Sequence, residues 1–245
     1  MRTRQNALLI TFVLLSLGLA ALTGCSSSDE STSTSTTTTD APDDATTSGS
    51  TGGSTQYRAE VWADNWFSLY VDGELVGEDS VPITTERSFN AETITFTAEP
   101  GFTLGVVARD FIEDDTGLEY IGTDRQQMGD AGIIVQVTDV ATGEVVAVSD
   151  GTWRGLVVHT APTNPECEDS SDPEAECQND IATEPDGWAD AGFDDSSWTT
   201  ATTYSADQVG AKEGYEEIAW DTSASLIWSG DLETDNTVLW RTTVG

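Results

Sequence analysis

The sequence predicts an all-β fold, a β-sandwich in which two antiparallel sheets pack face to face. From Tyr57 to Gly245, short runs of Val, Ile, Phe and Thr alternate with polar residues at a period of two, and Gly, Asp, Pro and Asn separate the runs. No stretch keeps a 3.6-residue apolar period between helix caps, so helices should be minor. Many short strands joined by turns favour two stacked sheets.

Turn residues between the apolar runs predict three hairpins. Phe67, Leu69 and Val71 share one face of a strand that ends at the turn Asp72-Gly73. The other two hairpins are predicted around Pro100-Gly101 and around residues 141–143. Further strands are predicted at 152–159, 225–229 and 237–244, and the segments 111–131 and 162–192 are predicted to be loops.

The N-terminus has the pattern of a signal peptide. Arg2 and Arg4 precede an apolar stretch from residue 7 to 22, which is too short and too interrupted for a stable membrane span. Leu22-Thr23-Gly24-Cys25 resembles the lipobox of bacterial lipoproteins. This resemblance implies cleavage after residue 24 and an acylated Cys25 that binds the lipid bilayer. We then expect a lipid-anchored protein of the cell envelope, at the outer membrane or cell surface. Ordinary secretory cleavage with an unmodified Cys25 is the alternative.

Composition divides the rest of the chain in two. Residues 25–56 contain almost only Ser, Thr, Gly and Asp after the cysteine, so they cannot bury enough apolar area to fold and are predicted to be a disordered tether. All eight tryptophans lie in residues 57–245, which are long enough for one β-sandwich domain.

The charge balance excludes one class of partner. The formal net charge is −35, and removal of Arg2 and Arg4 with the signal peptide lowers it to −37. Affinity for phosphate backbones depends on Lys and Arg, and Lys212 is the only lysine. We therefore expect no nucleic-acid partner. Self-repulsion of this size also predicts that salt stabilises the fold.

Two cysteines remain in the predicted domain. Cys167 and Cys177 bracket a polar loop in a chain predicted to be exported, which favours a disulfide between them. A zinc site is the rival interpretation, but two thiols without a nearby histidine supply at most half of one.

Three stretches resemble the galactose-binding-like jelly rolls that occur as carbohydrate-binding modules and as accessory domains of glycoside hydrolases. They are residues 63–77, with a strand, an Asp72-Gly73 bend and a second strand, residues 192–198, and residues 237–244. The resemblance implies a sandwich scaffold and does not identify a ligand. Asp72 departs from the family, because Asn is usual at that position.

Tryptophans in loops are candidate sugar-binding residues, because the apolar faces of sugar rings stack on aromatic planes. Trp66, with the neighbouring Asp64 and Asn65, and Trp188 are the candidates for ligand binding. The alternative is that these indoles only fill the ends of the sandwich.

No signature of catalysis or of a tightly bound cofactor is present. The single histidine, His159, has no accompanying nucleophile motif, and adjacent acids such as Asp194 and Asp195 would point to opposite faces of an extended chain. A structural calcium ion near Asp186 and Asp190 is one hypothesis, since calcium accepts carboxylate and carbonyl oxygens.

These observations predict a surface-tethered, non-catalytic binding module, with carbohydrate as the ligand. An envelope interaction or assembly lipoprotein that binds another protein is the alternative, and an acidic glycoside hydrolase is a third hypothesis.

Overall fold

The computed structural model of the protein describes residues 53–84, 89–111 and 113–245. Two antiparallel sheets pack face to face, which confirms the predicted β-sandwich. The predicted signal peptide, Cys25 and the predicted tether as far as residue 52 lie outside the described residues. Within the described part of the chain, no helix is both long enough and apolar enough to cross a membrane.

The strands and helices follow one another in short segments. The strands are β1 (Thr55–Asp64), β2 (Trp66–Val71), β3 (Glu74–Glu78), β4 (Ala91–Ala98), β5 (Thr103–Arg109), β6 (Leu118–Glu119), β7 (Gln127–Met128), β8 (Gly132–Asp139), β9 (Val145–Val148), β10 (Arg154–Thr160), β11 (Asp180–Ile181), β12 (Thr199–Thr200), β13 (Thr202–Tyr204), β14 (Leu226–Trp228) and β15 (Asp235–Thr243). The helices are α1 (Pro173–Glu176) and α2 (Ala206–Val209), with 3₁₀ turns at Pro165–Asp169 and Tyr215–Glu217. Helices are therefore minor, as predicted.

The strands form two main sheets. Sheet A has the order β13-β14-β8-β1-β4, with β9 also paired to β8, and sheet B has the order β11-β10-β15-β5-β2-β3, with β12 also paired to β10. The inner faces of both sheets form one apolar core. Strand β1, which lies in the middle of sheet A, contributes Tyr57, Ala59 and Val61 to that core at alternate positions.

Two of the three predicted hairpins are confirmed. Strands β2 and β3 pair across Asp72-Gly73, where both residues have positive φ (47° and 87°), and β8 pairs with β9. The prediction of a hairpin at Pro100-Gly101 is wrong. Strand β4 pairs with β1 in sheet A, whereas β5 pairs with β2 and β15 in sheet B, so this turn crosses between the sheets. Phe96 and Phe102 on either side of the turn pack edge to face in the core instead, with ring centroids 5.6 Å apart.

Irregular segments cover parts of both outer faces. Residues 205–224 cover sheet A, where Val209 packs with Trp62 and Ile134. Residues 182–198 cover sheet B, where Trp188 and Trp198 pack with strand residues such as Leu239. The buried guanidinium of Arg241 on β15 fixes this second cover, because it donates to the carbonyls of Trp188 and Asp190 and to the carboxylate of Asp195.

The predicted disulfide between Cys167 and Cys177 is present, with Cα atoms 5.3 Å apart. The side chain of Asn164 also closes this loop. Its Nδ2 donates to the carbonyl of Glu176 (3.0 Å), and its Oδ1 accepts from the amide of Gln178 (2.6 Å). A polar segment is thus held by one covalent bond and by backbone contacts.

The two ends of the sandwich differ, and we name them by β1. The proximal end is where β1 begins, at Thr55, and the distal end is where β1 finishes, at Asp64. Strand β5 also ends at the distal end, and β2, β8 and β15 begin there. The loop 113–131 and the disulfide-closed segment both lie at this end, because they follow β5 and β10.

Candidate functional site

The predicted ligand-binding residues Asp64, Asn65 and Trp66 lie at the distal end, where the chain passes from sheet A to sheet B. The Asp64–Asn65 peptide bond is cis, and the amide of Asn65 donates to the carbonyl of Arg109 (2.9 Å). Asp64 and Asn65 are almost fully buried. Both side-chain polar atoms of Asn65, and Oδ2 of Asp64, have no hydrogen-bond partner within the described residues.

The adjacent strand ends add more buried polar groups. Asp110, which directly follows β5, is 1% exposed, and its amide donates to the carbonyl of Asn236 (2.9 Å). Oδ1 of Asp110 accepts from the amide of Phe111 (2.7 Å). Gly129 is required beside it, because a Cβ at residue 129 would overlap the Asp110 carboxylate. Asn236 is also buried, and its Oδ1 has no partner in the described part of the chain.

We call Asp64, Asn65, Asp110, Glu119 and Asn236 the buried polar cluster. Burial raises the pKa of Asp110 well above its usual range, and the nearby carboxylates of Asp64 and Glu119 raise it further. Burial likewise raises the pKa of Asp64, although Lys212 opposes the shift. Burial in the cluster therefore favours the protonated, neutral forms of Asp64 and Asp110.

Lys212 is the only cation that pairs with this region in the described structure. Its Nζ lies 3.8 Å from Oδ2 of Asp64 and 3.7 Å from Oδ2 of Asp130. Burial also raises the pKa of Asp130, with Lys212 again acting in the opposite direction. One ammonium group thus faces the carboxyl groups of Asp64 and Asp130, and no ion pair to Asp110 occurs among the described residues.

Trp66 presents the accessible part of the site. Its indole is half-buried on the outer face of sheet B. The Arg109 guanidinium lies 5.4 Å from the ring centroid, and Nη2 of Arg109 lies 3.9 Å from Oε1 of Glu184. The side chains of Arg109 and Glu184 are 36% and 42% exposed. An aromatic surface and two charged hydrogen-bonding groups therefore meet solvent together.

These residues belong to a row that crosses sheet B. Trp66 is paired with Arg109, Arg109 with Thr237, and Thr237 with His159. Directly paired residues of an antiparallel sheet point to the same face. Thr237 and His159 are buried, so the accessible part of the row is the Trp66 and Arg109 half.

Trp188 lies elsewhere and is only 7% exposed. Its ring packs edge-on against Tyr70, with centroids 5.6 Å apart, and lies 6.3 Å from that of Trp198. The structure thus does not bring Trp188 to the surface beside Trp66. Its indole belongs to the layer that covers sheet B.

The calcium hypothesis concerns Asp186 and Asp190, which lie in the segment that covers sheet B. Among the described residues, no three His, Cys, Asp or Glu side chains are placed to hold an ion together. At Asp186 and Asp190, where the sequence allowed calcium, the carbonyl of Asp190 accepts a hydrogen bond from Nη2 of Arg241 (3.1 Å). The carbonyl of Trp188 accepts from the same guanidinium. The guanidinium of Arg241 thus occupies these two backbone carbonyls.

His159 is unsuited to proton transfer with a surface ligand. It is 6% exposed, its Nε2 has no partner among the described residues, and burial lowers its pKa. It is therefore neutral at pH 7 and part of the sheet.

A polar groove of about 410 Å³ adjoins the distal end. It lies between residues 122–126 of the long loop and residues 168–171 of the disulfide-closed segment. Nε2 of Gln126 donates to the carbonyls of Glu168 (2.6 Å) and Ser170 (2.9 Å), which ties the two segments together. Carboxylates and hydroxyls line the groove.

Sequence reasoning did not find Arg109, Asp110, Glu184 or Lys212. Asp110 carried a usable signal, because it follows an apolar run and so had to lie at a strand end. Glu184 carried none, because its contact with Arg109 depends on how residues 182–198 fold over sheet B.

Comparisons with known proteins add no relative: no family model, no curated protein and no solved structure matches this chain.

Proposed function

We propose that this protein is a lipid-anchored, non-catalytic carbohydrate-binding module of the cell envelope. The observation that carries the proposal is the half-buried indole of Trp66 at the distal end, with Arg109 and Glu184 beside it. Sugar rings stack their C–H faces on aromatic planes, and charged planar groups bind their hydroxyls. The resemblance of residues 63–77 to galactose-binding-like modules supports the same function.

The course of β1 supports presentation away from a membrane. The chain enters the domain at Thr55, and ten residues of β1 separate that point from Asp64. At about 3.3 Å per residue, the candidate site lies roughly 30 Å from the point of entry. The chain therefore enters the domain at the proximal end, and the candidate site lies at the opposite end.

Burial of the carboxyl groups favours binding over hydrolysis. Glycoside hydrolysis needs two carboxyls that flank the scissile bond in an accessible cleft. Asp64 and Asp110 are 2% and 1% exposed, so a polysaccharide could not reach either group. We accordingly rank an acidic hydrolase below a binding module.

A glycan array tests the proposal. The full-length chain, purified in detergent, is applied to plant, algal and bacterial polysaccharides, and the strongest soluble hit is measured by calorimetry. Trp66→Ala should weaken binding at least about tenfold, which corresponds to about 1.4 kcal/mol.

Trp220→Ala is the matched control. Trp220 is also a half-buried indole, but it lies on the cover of sheet A, where its Nε1 donates to the carbonyl of Tyr215 (2.9 Å). Its removal should leave glycan affinity unchanged. Equal losses in both variants would reject Trp66 as the site, and silence across the array would reject carbohydrate binding.

Metabolic labelling tests the anchor separately. Cells that express the wild-type chain should incorporate labelled palmitate into it, and cells that express Cys25→Ala should not. Equal label in the two chains would reject lipidation at Cys25.

A further inference from the structure

Lys212, the only lysine of the chain, is fixed from both sides. Helix α2 ends two residues earlier at Gly210, which has a positive φ of 69° and whose amide donates to the carbonyl of Ala206. One residue after Lys212, the carbonyl of Glu213 accepts a hydrogen bond from Nε1 of Trp62 (3.1 Å). Lys212 is thus held between the end of a helix and strand β1.

Asp64 lies opposite this lysine. Trp62 and Asp64 are two positions apart in β1, so their side chains point to the same face of sheet A, which residues 205–224 cover. Nζ of Lys212 lies 3.8 Å from Oδ2 of Asp64, although 39% of the lysine side chain is exposed. The centroid of the Phe89 ring lies 4.5 Å from the same Nζ. The amine therefore lies beside a buried carboxyl group and an apolar ring.

The carboxyl group of Asp64 is costly as an anion. Its side chain is 2% exposed, and its Oδ2 accepts no hydrogen bond from the described residues. A carboxylate and an ammonium group both lose hydration when they are buried together. An amide formed from the two side chains carries no charge, so its formation removes this cost.

Asp130 supplies a third group at the same point. Its Oδ2 lies 3.7 Å from Nζ of Lys212. A Cβ at residue 210 would lie 3.0 Å from this oxygen, so the glycine permits the close approach. Burial raises the pKa of Asp130, which makes its carboxylate a better proton acceptor. An amine, a carboxyl group and a base therefore meet at one place.

We propose that Lys212 and Asp64 join through an intramolecular isopeptide bond. The ammonium group loses one proton to the Asp130 carboxylate, and the lone pair of Nζ attacks Cγ of the protonated Asp64 carboxyl group. The Nζ–Cγ bond forms, the bond between Cγ and the hydroxyl breaks, and the hydroxyl leaves as water with a second proton from Nζ. Asp130 then releases its proton to solvent. No oxidant or reductant is needed, and the fixed positions of the groups favour the reaction.

The bond would fasten the middle strand of sheet A to the segment that covers it. It acts on this face as the disulfide between Cys167 and Cys177 acts on the distal loops. The proposal does not depend on glycan binding, because the amine and both carboxyl groups lie apart from the exposed surface of Trp66 and Arg109.

Cleavage of the denatured, reduced full-length chain tests the proposal. Lysyl endopeptidase cuts after a free lysine, so an unlinked chain should yield two fragments and a linked chain should remain uncut. Mass spectrometry of a tryptic digest should then find the Asp64 peptide joined to the Lys212 peptide. Their joint mass should be lower than the sum of the two by about 18 Da, the mass of one water molecule.

Three variants locate the reacting groups. Asp64→Ala should restore cleavage after Lys212, whereas Asp207→Ala, which removes an exposed acid of α2 on the same cover, should leave the chain uncut. Asp130→Ala should slow formation of the bond at least about tenfold, because the ammonium group loses its proton acceptor. Cleavage of samples taken at intervals after a pulse of synthesis measures this rate, and thermal melts show that the variants fold.

Complete cleavage of the wild-type chain at Lys212 would overturn the proposal. A joined peptide that links Lys212 to Asp130 or to any other residue would overturn the assignment of Asp64. The joined peptide of the wild-type chain identifies the partner even if Asp64→Ala does not fold. Bond formation at an unchanged rate in Asp130→Ala would reject Asp130 as the proton acceptor.

Discussion

The same two strands end differently at the two ends of the sandwich. At the proximal end, Tyr57 at the start of β1 stacks on Phe102 just before β5, with centroids 4.9 Å apart, and Phe96 completes the group. At the distal end, the same strands finish in Asp64 and Asp110, which are as deeply buried as the aromatic rings. One end thus buries apolar area, and the other buries groups that water would solvate better.

This difference places apolar packing at one end of the molecule and the candidate site at the other. Burial of aromatic rings stabilises the fold, whereas burial of a carboxyl group costs free energy unless it is protonated or paired. The crossing from β1 to β2 lies beside these groups, and the amide of Asn65 within it donates to the carbonyl of Arg109.

Substitution in the proximal aromatic group should give the largest loss of stability. Phe102→Ala removes a ring that is 2% exposed and should lower the free energy of unfolding by about 3–5 kcal/mol, equally at pH 5 and pH 7. Urea unfolding measures it, with the exposed Thr97→Ala as control. A loss that depended strongly on pH would contradict the assignment of pure packing to this end.

Loss of the disulfide should give the next largest decrease in stability, because the disulfide constrains the distal loops. Replacement of Cys167 and Cys177 by Ser should cost about 3 kcal/mol in the chain-entropy model. Wild-type protein in a reducing agent should show the same decrease in urea unfolding. A reduced wild type that remains fully stable would show that backbone contacts such as those of Asn164 suffice.

Asp110→Asn should stabilise the protein at pH 7 by about 1–3 kcal/mol, since asparagine imitates the protonated carboxyl group. The raised pKa of Asp110 means that its stabilising contribution is complete when pH lies below the unfolded value near 4 and is lost as pH rises through the folded value. The variant should therefore match wild type at pH 4 and exceed it at pH 7. A less stable variant at pH 7 would mean that the carboxylate is needed in its charged form.

A smaller effect is expected at Asp79, whose amide donates to the carbonyl of Phe67 at the distal end. Burial, with a smaller contribution from Glu92 and against the amide of Val81, raises the pKa of this carboxyl to about 6. Wild-type stability should thus fall as pH rises between about 4 and 6, and Asp79→Asn should reduce this fall by about 1 kcal/mol. Melting temperatures across that range measure it, and the exposed Asp124→Asn should change nothing.

Salt should give the smallest effect. A formal net charge of −35 leaves exposed carboxylates that repel one another beyond the few ion pairs of the fold. Sodium chloride screens this repulsion, so the melting temperature should rise by roughly 2 °C or more between low and physiological ionic strength. A melting temperature that does not change with NaCl concentration in calorimetry would show that repulsion between the acidic groups does not affect stability.

The sequence predicted the fold well where side chains alternate and turns are sharp. Asp72-Gly73 forced a hairpin because its backbone needs positive φ, whereas Pro100-Gly101 fits either a hairpin or a crossing between sheets. Strand β1 was missed although Tyr57, Ala59, Val61 and Ala63 alternate in it. Its alternate positions hold small or charged residues, so the apolar alternation is weak. The strand also begins where the Ser/Thr-rich segment ends, near residue 57, which hides its first residues.

The candidate site was predicted only in part. Asp64, Asn65 and Trp66 were found because they form one contiguous motif, but their partners Arg109 and Glu184 come from β5 and from the cover of sheet B. The burial of Trp188 was not evident, since its neighbours Asp186 and Gly187 have the composition of an exposed loop. Alternation indicates which residues face the core between the sheets, and it does not indicate what covers an outer face.

The buried guanidinium of Arg241 fixes the irregular segment that covers sheet B to the sheet itself. Most of residues 182–198 are exposed and carry little regular structure, yet one side chain of β15 holds carbonyls and a carboxylate of that segment at three points. A protease would meet this segment as part of the folded body and not as a flexible loop. Sites of early cleavage should lie outside it.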